Sequence, residues 1–192
     1  SFNDRRIKIF SDNKFHSPIF NFENAIKNAR GDYIFLSDQD DVWEMNKVKV
    51  MLTYLLKYSL VVSDCYIIDK NGYLIHDSFW AKKKPVRGVI NLVHNHYLGC
   101  CMAFKREILK VALPFPTRIA MHDIWLGLCA SCFYSTAFIS DKLIRYRRHG
   151  ENASATSEKS HFSWFYRIEY RFYFLSQLVL RKIHKYLSQC LL

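Results

Sequence analysis

Apolar and polar positions alternate in two rhythms along this chain. Arg6 to Phe10 (R-I-K-I-F) alternates at the strand period and predicts a short strand, closed by a turn at Ser11 to Lys14. From Pro18, a residue suited to the first turn of a helix, Phe22, Ala25, Ile26 and Ala29 recur at the helical period. Gly31 stands where a left-handed cap belongs. Tyr33 to Leu36 is then a continuous apolar run with β-branched and aromatic residues, which reads as a buried strand. Strand, helix and strand in this order make a βαβ unit, and that implies a parallel sheet with a right-handed crossover.

The same rhythms continue. Glu44 to Tyr58 predicts a helix with Val48, Leu52, Leu55 and Leu56 on its core face and its lysines in water. Leu60 to Ser63 predicts a second buried strand ending in an acid, Asp64. Tyr66 to Ile75 predicts a hairpin turned by Asn71-Gly72. Asn95 to Phe104 is mostly apolar with Gly99 inside it, and glycine within a strand signals a bulge or a close approach of backbone to something else. Arg106 to Val111 predicts a short helix stopped by Pro114 and Pro116, and Asp123 opens another running to about Cys132. Ala137 to Ile139 and Lys142 to Tyr146 are extended. The pattern divides the chain into a domain over 1–152, a small, polar linker over 153–160 and an amphipathic helical tail over 161–192.

Composition narrows the classes. Half of the residues are apolar, which excludes a disordered chain, and the length suits one domain with its own core. The formal charge of +11 points to nucleic acid, an anionic membrane surface or a polyanionic substrate. The positive residues are scattered and no nucleic-acid motif is present, so no nucleic-acid partner is expected. In the tail, Trp164, Phe165, Tyr170, Phe172 and Phe174 are mixed with Arg171, Arg181, Lys182 and Lys185. That mixture fits either an interfacial helix on anionic lipid or a helix packed on the domain. Lys82 to Lys84 reads as a solvated basic loop. The six cysteines lie in apolar stretches without a disulfide-scaffold spacing, so reduced thiols and a cytoplasmic setting are expected; Cys129-Ala-Ser-Cys132 has no second pair to make a zinc site. The first residues carry no apolar core of a signal peptide.

Candidate chemistry concentrates after Leu36. Asp38, Asp40 and Asp41 follow the buried run, at the carboxyl end of a strand, where ligands bind in open α/β sheets. Carboxylates packed so closely repel one another unless a cation lies between them, and hard oxygen ligands suit Mg²⁺ or Mn²⁺. Spacing alone leaves a solvated acidic turn equally open.

Five segments in order resemble a known family. They are Gly31 to Trp43 (G-D-Y-I-F-L-S-D-Q-D-D-V-W), Asp69 to Gly72 (D-K-N-G), Gly99 to Arg106 (G-C-C-M-A-F-K-R), Met121 to Leu126 (M-H-D-I-W-L) and Leu143 to Asn152 (L-I-R-Y-R-R-H-G-E-N). Together they resemble the inverting family 2 glycosyltransferases of the GT-A fold, in particular the bacterial rhamnosyltransferase-like branch that builds surface polysaccharides. The resemblance implies an α/β, Rossmann-like, mostly parallel sheet flanked by helices. It implies a nucleotide-sugar donor, dTDP-rhamnose or similar, and a glycan or lipid-linked acceptor at the inner membrane face. Carried over residue by residue, Asp40, Asp38 and His149 would hold Mg²⁺ or Mn²⁺, with Asp38, Asp41 and Gly99 against the donor. Asp123 would be the general base, and His122, Trp125 and Trp43 would shape the acceptor site. The family's first βαβ unit, which grips the nucleoside, has no counterpart before Arg6, so an N-terminally truncated domain is expected. A basic, non-catalytic binding module and an inactive fragment are the alternatives.

Overall fold

A computed structural model describes residues 4–12, 15–81, 85–86, 88–93, 95–148 and 164–190. The basic loop at 82–84, His149 and the expected linker over 153–160 lie outside them. The elements run α1 (Pro18–Asn28), β1 (Tyr33–Phe35), β2 (Val42–Trp43), α2 (Lys47–Leu55), β3 (Leu60–Ile68), β4 (Leu74–His76), β5 (Met102–Lys105), α3 (Leu109–Ala112), α4 (His122–Phe133), β6 (Thr136–Arg147) and α5 (Trp164–Cys190). Short 3₁₀ turns at Gly88–Leu92, Gly99–Cys101 and Arg106–Ile108 join them.

The sheet order is β1-β5-β3-β6-β2, with β4 paired to β3. Here the expectation of a mostly parallel sheet is corrected. β3 and β6 pair in parallel, while β5 lies antiparallel to both β1 and β3. Thus β1, β3 and β6 run one way, but β5 is inserted between β1 and β3 and reverses the pairing. An apolar run reports burial, not which neighbour a strand meets, so this insertion leaves no trace in periodicity. Ile7 to Phe10 also forms no strand; Ile9 is exposed and the segment has no partner edge, which alternation cannot supply.

Both faces of the sheet are covered. Leu60, Val62, Met102 and Phe104 face one core with Trp125, Leu128 and Phe174. Val61, Ala103, Ala137 and Ile139 face the other, under Met51 and Leu55 of α2. Strands buried on both faces lose their alternation, which is why the central runs read as continuously apolar. The α2 face differs from the expected one. Lys47, Met51 and Leu55, at helical spacing, point inward, while Val48 and Leu56 are exposed. α4 is buried continuously from His122 to Ala130 because it lies between the sheet and α5. Trp125 stacks on Phe174 with centroids 6.1 Å apart, and Arg181 of α5 donates to the Leu113 carbonyl at 3.0 Å. The Asn71-Gly72 hairpin forms as expected between β3 and β4, with Gly72 at φ +93.

Candidate active site

The register of β1 against β5 builds the site. Phe35 pairs with Ala103, and the Leu36 N–H donates to the Met102 carbonyl at 3.3 Å. The chain leaving β1 therefore runs beside the chain entering β5. That sets the acidic turn over 38–41 next to the Gly99–Cys101 turn. At the same end, β2 pairs with the last part of β6, Val42 opposite Arg145. The carboxyl ends of β1, β3 and β6 thus meet at one rim of the sheet, the place where open α/β sheets bind ligands.

Arg147, near the end of β6, fastens this rim. Its backbone N–H donates to Asp41 Oδ1 at 2.9 Å, and its Nε donates to the Asp40 carbonyl at 2.9 Å. Its Nη1 donates to the carbonyls of Asp69 at 3.2 Å and Lys70 at 2.9 Å. One guanidinium joins the S-D-Q-D-D turn to the D-K-N-G turn, so three separate sequence motifs become one wall.

Asp123 comes from the other side. It sits in the first turn of α4, 4% exposed, with Oδ2 accepting from the Gly99 N–H at 3.2 Å and Oδ1 from the Ile124 N–H at 2.7 Å. Burial raises its pKa to about 7, with the charge of Asp38 adding to the rise. His122 stacks on Phe22 of α1 with centroids 3.9 Å apart. Both of its ring nitrogens are buried without a hydrogen-bond partner, and burial drives its pKa down to about 4. The close approach signalled by Gly99 is real: a Cβ there would lie 3.2 Å from His122 Nε2 and 3.6 Å from Asp123 Cβ.

Within the acidic turn, burial raises the Asp38 pKa to about 6, and the charges of Asp41 and Asp40 push it the same way. Asp41 is also raised by burial, against the Arg147 N–H that favours its charged form. Asp41 Oδ2 is buried without a hydrogen-bond partner. Among the described residues, Asp38, Asp41 and Cys100 offer ligand atoms all within 4.8 Å of one another. An orphaned carboxylate oxygen between repelling acids fits a divalent cation. The two carboxylates suit Mg²⁺ or Mn²⁺, and the thiol is a softer donor beside them. Asp40 is not in this grouping; its backbone faces Arg147.

The other expected site residues are placed as follows. Trp43 is half-buried and lies under the turn, its ring 3.9 Å from Lys47 Nζ. Trp125 is fully buried, and its Nε1 donates to the Ala112 carbonyl at 2.8 Å, so it supports α4 from the core instead of lining a pocket. Asp64, the other strand-end acid, is structural: β3 continues past it, and its carboxylate accepts from the Cys65 and Phe79 N–H groups at 2.8 and 3.0 Å. Two residues escaped the sequence reading. Lys47 looked like one of several solvated lysines. Arg147 was one of three arginines in its motif, and only the alternation of β6 against β2 would have singled it out.

The model of the family described as Glycosyl transferase family 2 matches residues 1–113. The chain belongs to glycosyl transferase family 2. Two curated glycosyltransferases are similar to it. One, from Nostoc sp., is an uncharacterized glycosyltransferase, 28% identical over 81% of this chain and 52% of its own length. The other, from Escherichia coli, is named UDP-Glc:alpha-D-GlcNAc-diphosphoundecaprenol beta-1,3-glucosyltransferase WfgD, 27% identical over 66% of this chain and 50% of its own. This family 2 chain thus spans about half the length of the curated relatives it matches. Among solved structures, S. aureus TarS (residues 1–349, in complex with UDP-GlcNAc) superimposes with a TM-score of 0.52 at 13% identity, over 81% of this chain and 51% of TarS. That likeness establishes the GT-A-like α/β fold, a mixed sheet flanked by helices.

Proposed function

We propose that this family 2 domain transfers a sugar, with inversion, from a nucleotide-sugar donor to a glycan or lipid-linked acceptor in surface polysaccharide synthesis. The observation that carries the reading is the setting of Asp123. It is a buried carboxyl whose pKa lies near neutrality, within reach of the charge of the acidic turn and held by the Gly99 N–H. A base with a pKa near the working pH is the most effective kind.

In the reaction, an acceptor hydroxyl oxygen attacks the anomeric carbon while its proton passes to Asp123. The bond from that carbon to the diphosphate oxygen breaks, and its electron pair leaves with the nucleoside diphosphate. A single displacement inverts the anomeric centre and needs no second carboxylate as nucleophile. Asp38, Asp40 and Asp41, with His149, are the residues assigned to Mg²⁺ or Mn²⁺ and the diphosphate, and a bound divalent cation would neutralise the charge growing on the leaving group. Gly99 lets backbone approach the donor, and His122 and Trp43 border the acceptor. dTDP-rhamnose is the proposed donor; the naming of the E. coli relative for a diphosphoundecaprenol-linked acceptor supports a lipid-linked acceptor here.

α5 fits a peripheral position at the inner face of the membrane. One face, Phe174 and Leu178, is buried on the domain, while Phe165, Phe172 and Val179 project outward, Phe172 at 68% exposure. None of the described helices is long and apolar enough to cross a membrane.

The test is a transfer assay with dTDP-rhamnose and UDP-sugars against lipid-linked acceptors, alongside melting curves with Mn²⁺ and each nucleoside diphosphate. Turnover with one donor, and a rise in melting temperature that needs metal and nucleotide together, is expected. No shift with any pair would leave the domain without its proposed chemistry.

A further inference from the structure

Lys47 opens α2, yet it is 0% exposed. A buried ammonium is costly unless its surroundings compensate it. Here the compensation is specific. Nζ donates to the Cys100 carbonyl at 2.7 Å and stands 3.9 Å over the Trp43 ring. Burial lowers its pKa to about 8, a shift opposed by the Cys101 and Cys100 thiols and by the charges of Asp41 and Asp38, with no direct ion pair to either acid. The two groups it touches belong to the two halves of the site, because Trp43 ends the acidic-turn segment and Cys100 lies one residue from the glycine that holds Asp123. Surface ion pairs in this chain, such as Glu44–Arg145, have water to share the charge; Lys47 has only the protein.

We propose that Lys47 is the resident counter-cation of the acidic turn and the strut that sets this turn against the Gly99–Cys101 turn. It is a positioning residue: it holds the acids and, through Gly99, the base in one register before any metal or donor arrives. The inference rests on the reading that the acidic turn carries a divalent cation. Its physical content is a pair of effects with opposite sign. The charge stabilises the metal-free turn, and the same charge repels an incoming metal ion. A residue that served only to fill space would give neither.

Lys47→Met keeps the length and apolar stem and removes the charge. In the metal-free protein it should lower the melting temperature, and adding Asp38→Asn should return part of that loss, because the unbalanced negative charge goes with it. By calorimetry, K47M should bind Mn²⁺ roughly tenfold tighter than the parent, the size of one screened charge–charge repulsion at short range. Lys47→Arg, which keeps the charge, should lack that gain. Losses in K47M and D38N that simply add, or Mn²⁺ binding that weakens in K47M, would overturn the proposal while leaving the metal reading intact. Should K47M fail to fold, folding of the K47M/D38N chain supports the counter-charge, and failure of both chains rejects it. If the parent binds no Mn²⁺ but the suppression by D38N is present, the metal reading falls and the counter-cation role stands.

Discussion

The Gly99 N–H and the Asp123 carboxylate meet at 3.2 Å, and a Cβ on Gly99 would be tight against the His122 ring beside them. Gly99→Ala would drive a methyl toward His122 Nε2, already 3.2 Å from the ideal Cβ position. Overpacking of this kind costs about 1–3 kcal/mol. The expected outcome is a modest loss in denaturant stability together with falls in kcat and in donor affinity. Unchanged kcat and donor affinity beside the stability loss would mean that Gly99 serves folding alone.

Replacing Asp123 by Asn should cut turnover by about 10²–10⁴-fold, the usual worth of a positioned base, with donor binding nearly unchanged. Its stability should also depend on pH in an unusual direction. The folded carboxyl titrates at about 7 against an ordinary 3.8, so between these values the folded state holds a proton that the unfolded state has released. Stability then falls as pH rises through that window. Asp38 acts in the same sense up to about 6, whereas His122, driven down to about 4, opposes them below its ordinary 6.5. Relative to the parent, metal-free D123N should therefore gain melting temperature steadily from pH 4 to pH 7. A constant offset would remove the buried-carboxyl account.

Arg147→Lys keeps the charge and loses the fork. An ammonium gathers its donors on one nitrogen and lacks the spread by which Nε reaches the Asp40 carbonyl while Nη1 reaches those of Asp69 and Lys70. Hydrogen bonds to charged groups are worth about 1.5–3 kcal/mol, and less where, as at Lys70, the bond is exposed to water. R147K should weaken binding of a metal–nucleoside diphosphate while leaving the hydrophobic core intact, visible as lost diphosphate affinity with an unchanged denaturant m-value.

The two faces of α5 should separate cleanly. Phe174→Ala empties the contact with Trp125 and should cost about 3–5 kcal/mol of stability. Phe172→Ser and Val179→Ser lie on the exposed face and should leave the melting temperature alone while reducing sedimentation with anionic vesicles. Loss of stability in the second pair, with vesicle binding retained, would assign that face to the domain.

Much of this was legible in the chain. From Pro18 onward most of the helices and strands, the hairpin at Asn71-Gly72 and the family itself came from local patterns and motif order, while the strand expected at Arg6 to Phe10 does not form and β2 was not expected. What was not legible depended on pairing in space. Lys47 shares its composition with the lysines around it, and only the direction of α2 buries it. Trp125 follows the H-D pair so closely that it reads as part of the site, yet its position on α4 turns it into the core. Asp38 and Asp41 meet Cys100 through the β1–β5 register, which spacing along the chain does not encode.

The β3–β6 pair, the longest in the sheet and covered on both sides, has a consequence for motion. Its amides should be the last to exchange with solvent, because opening them means opening both cores. The acidic turn and the Gly99–Cys101 turn hang from the rim of this slow-exchanging slab. The amides of the partly exposed acidic turn should exchange well before those of the slab, so the rim can open while the centre stays shut.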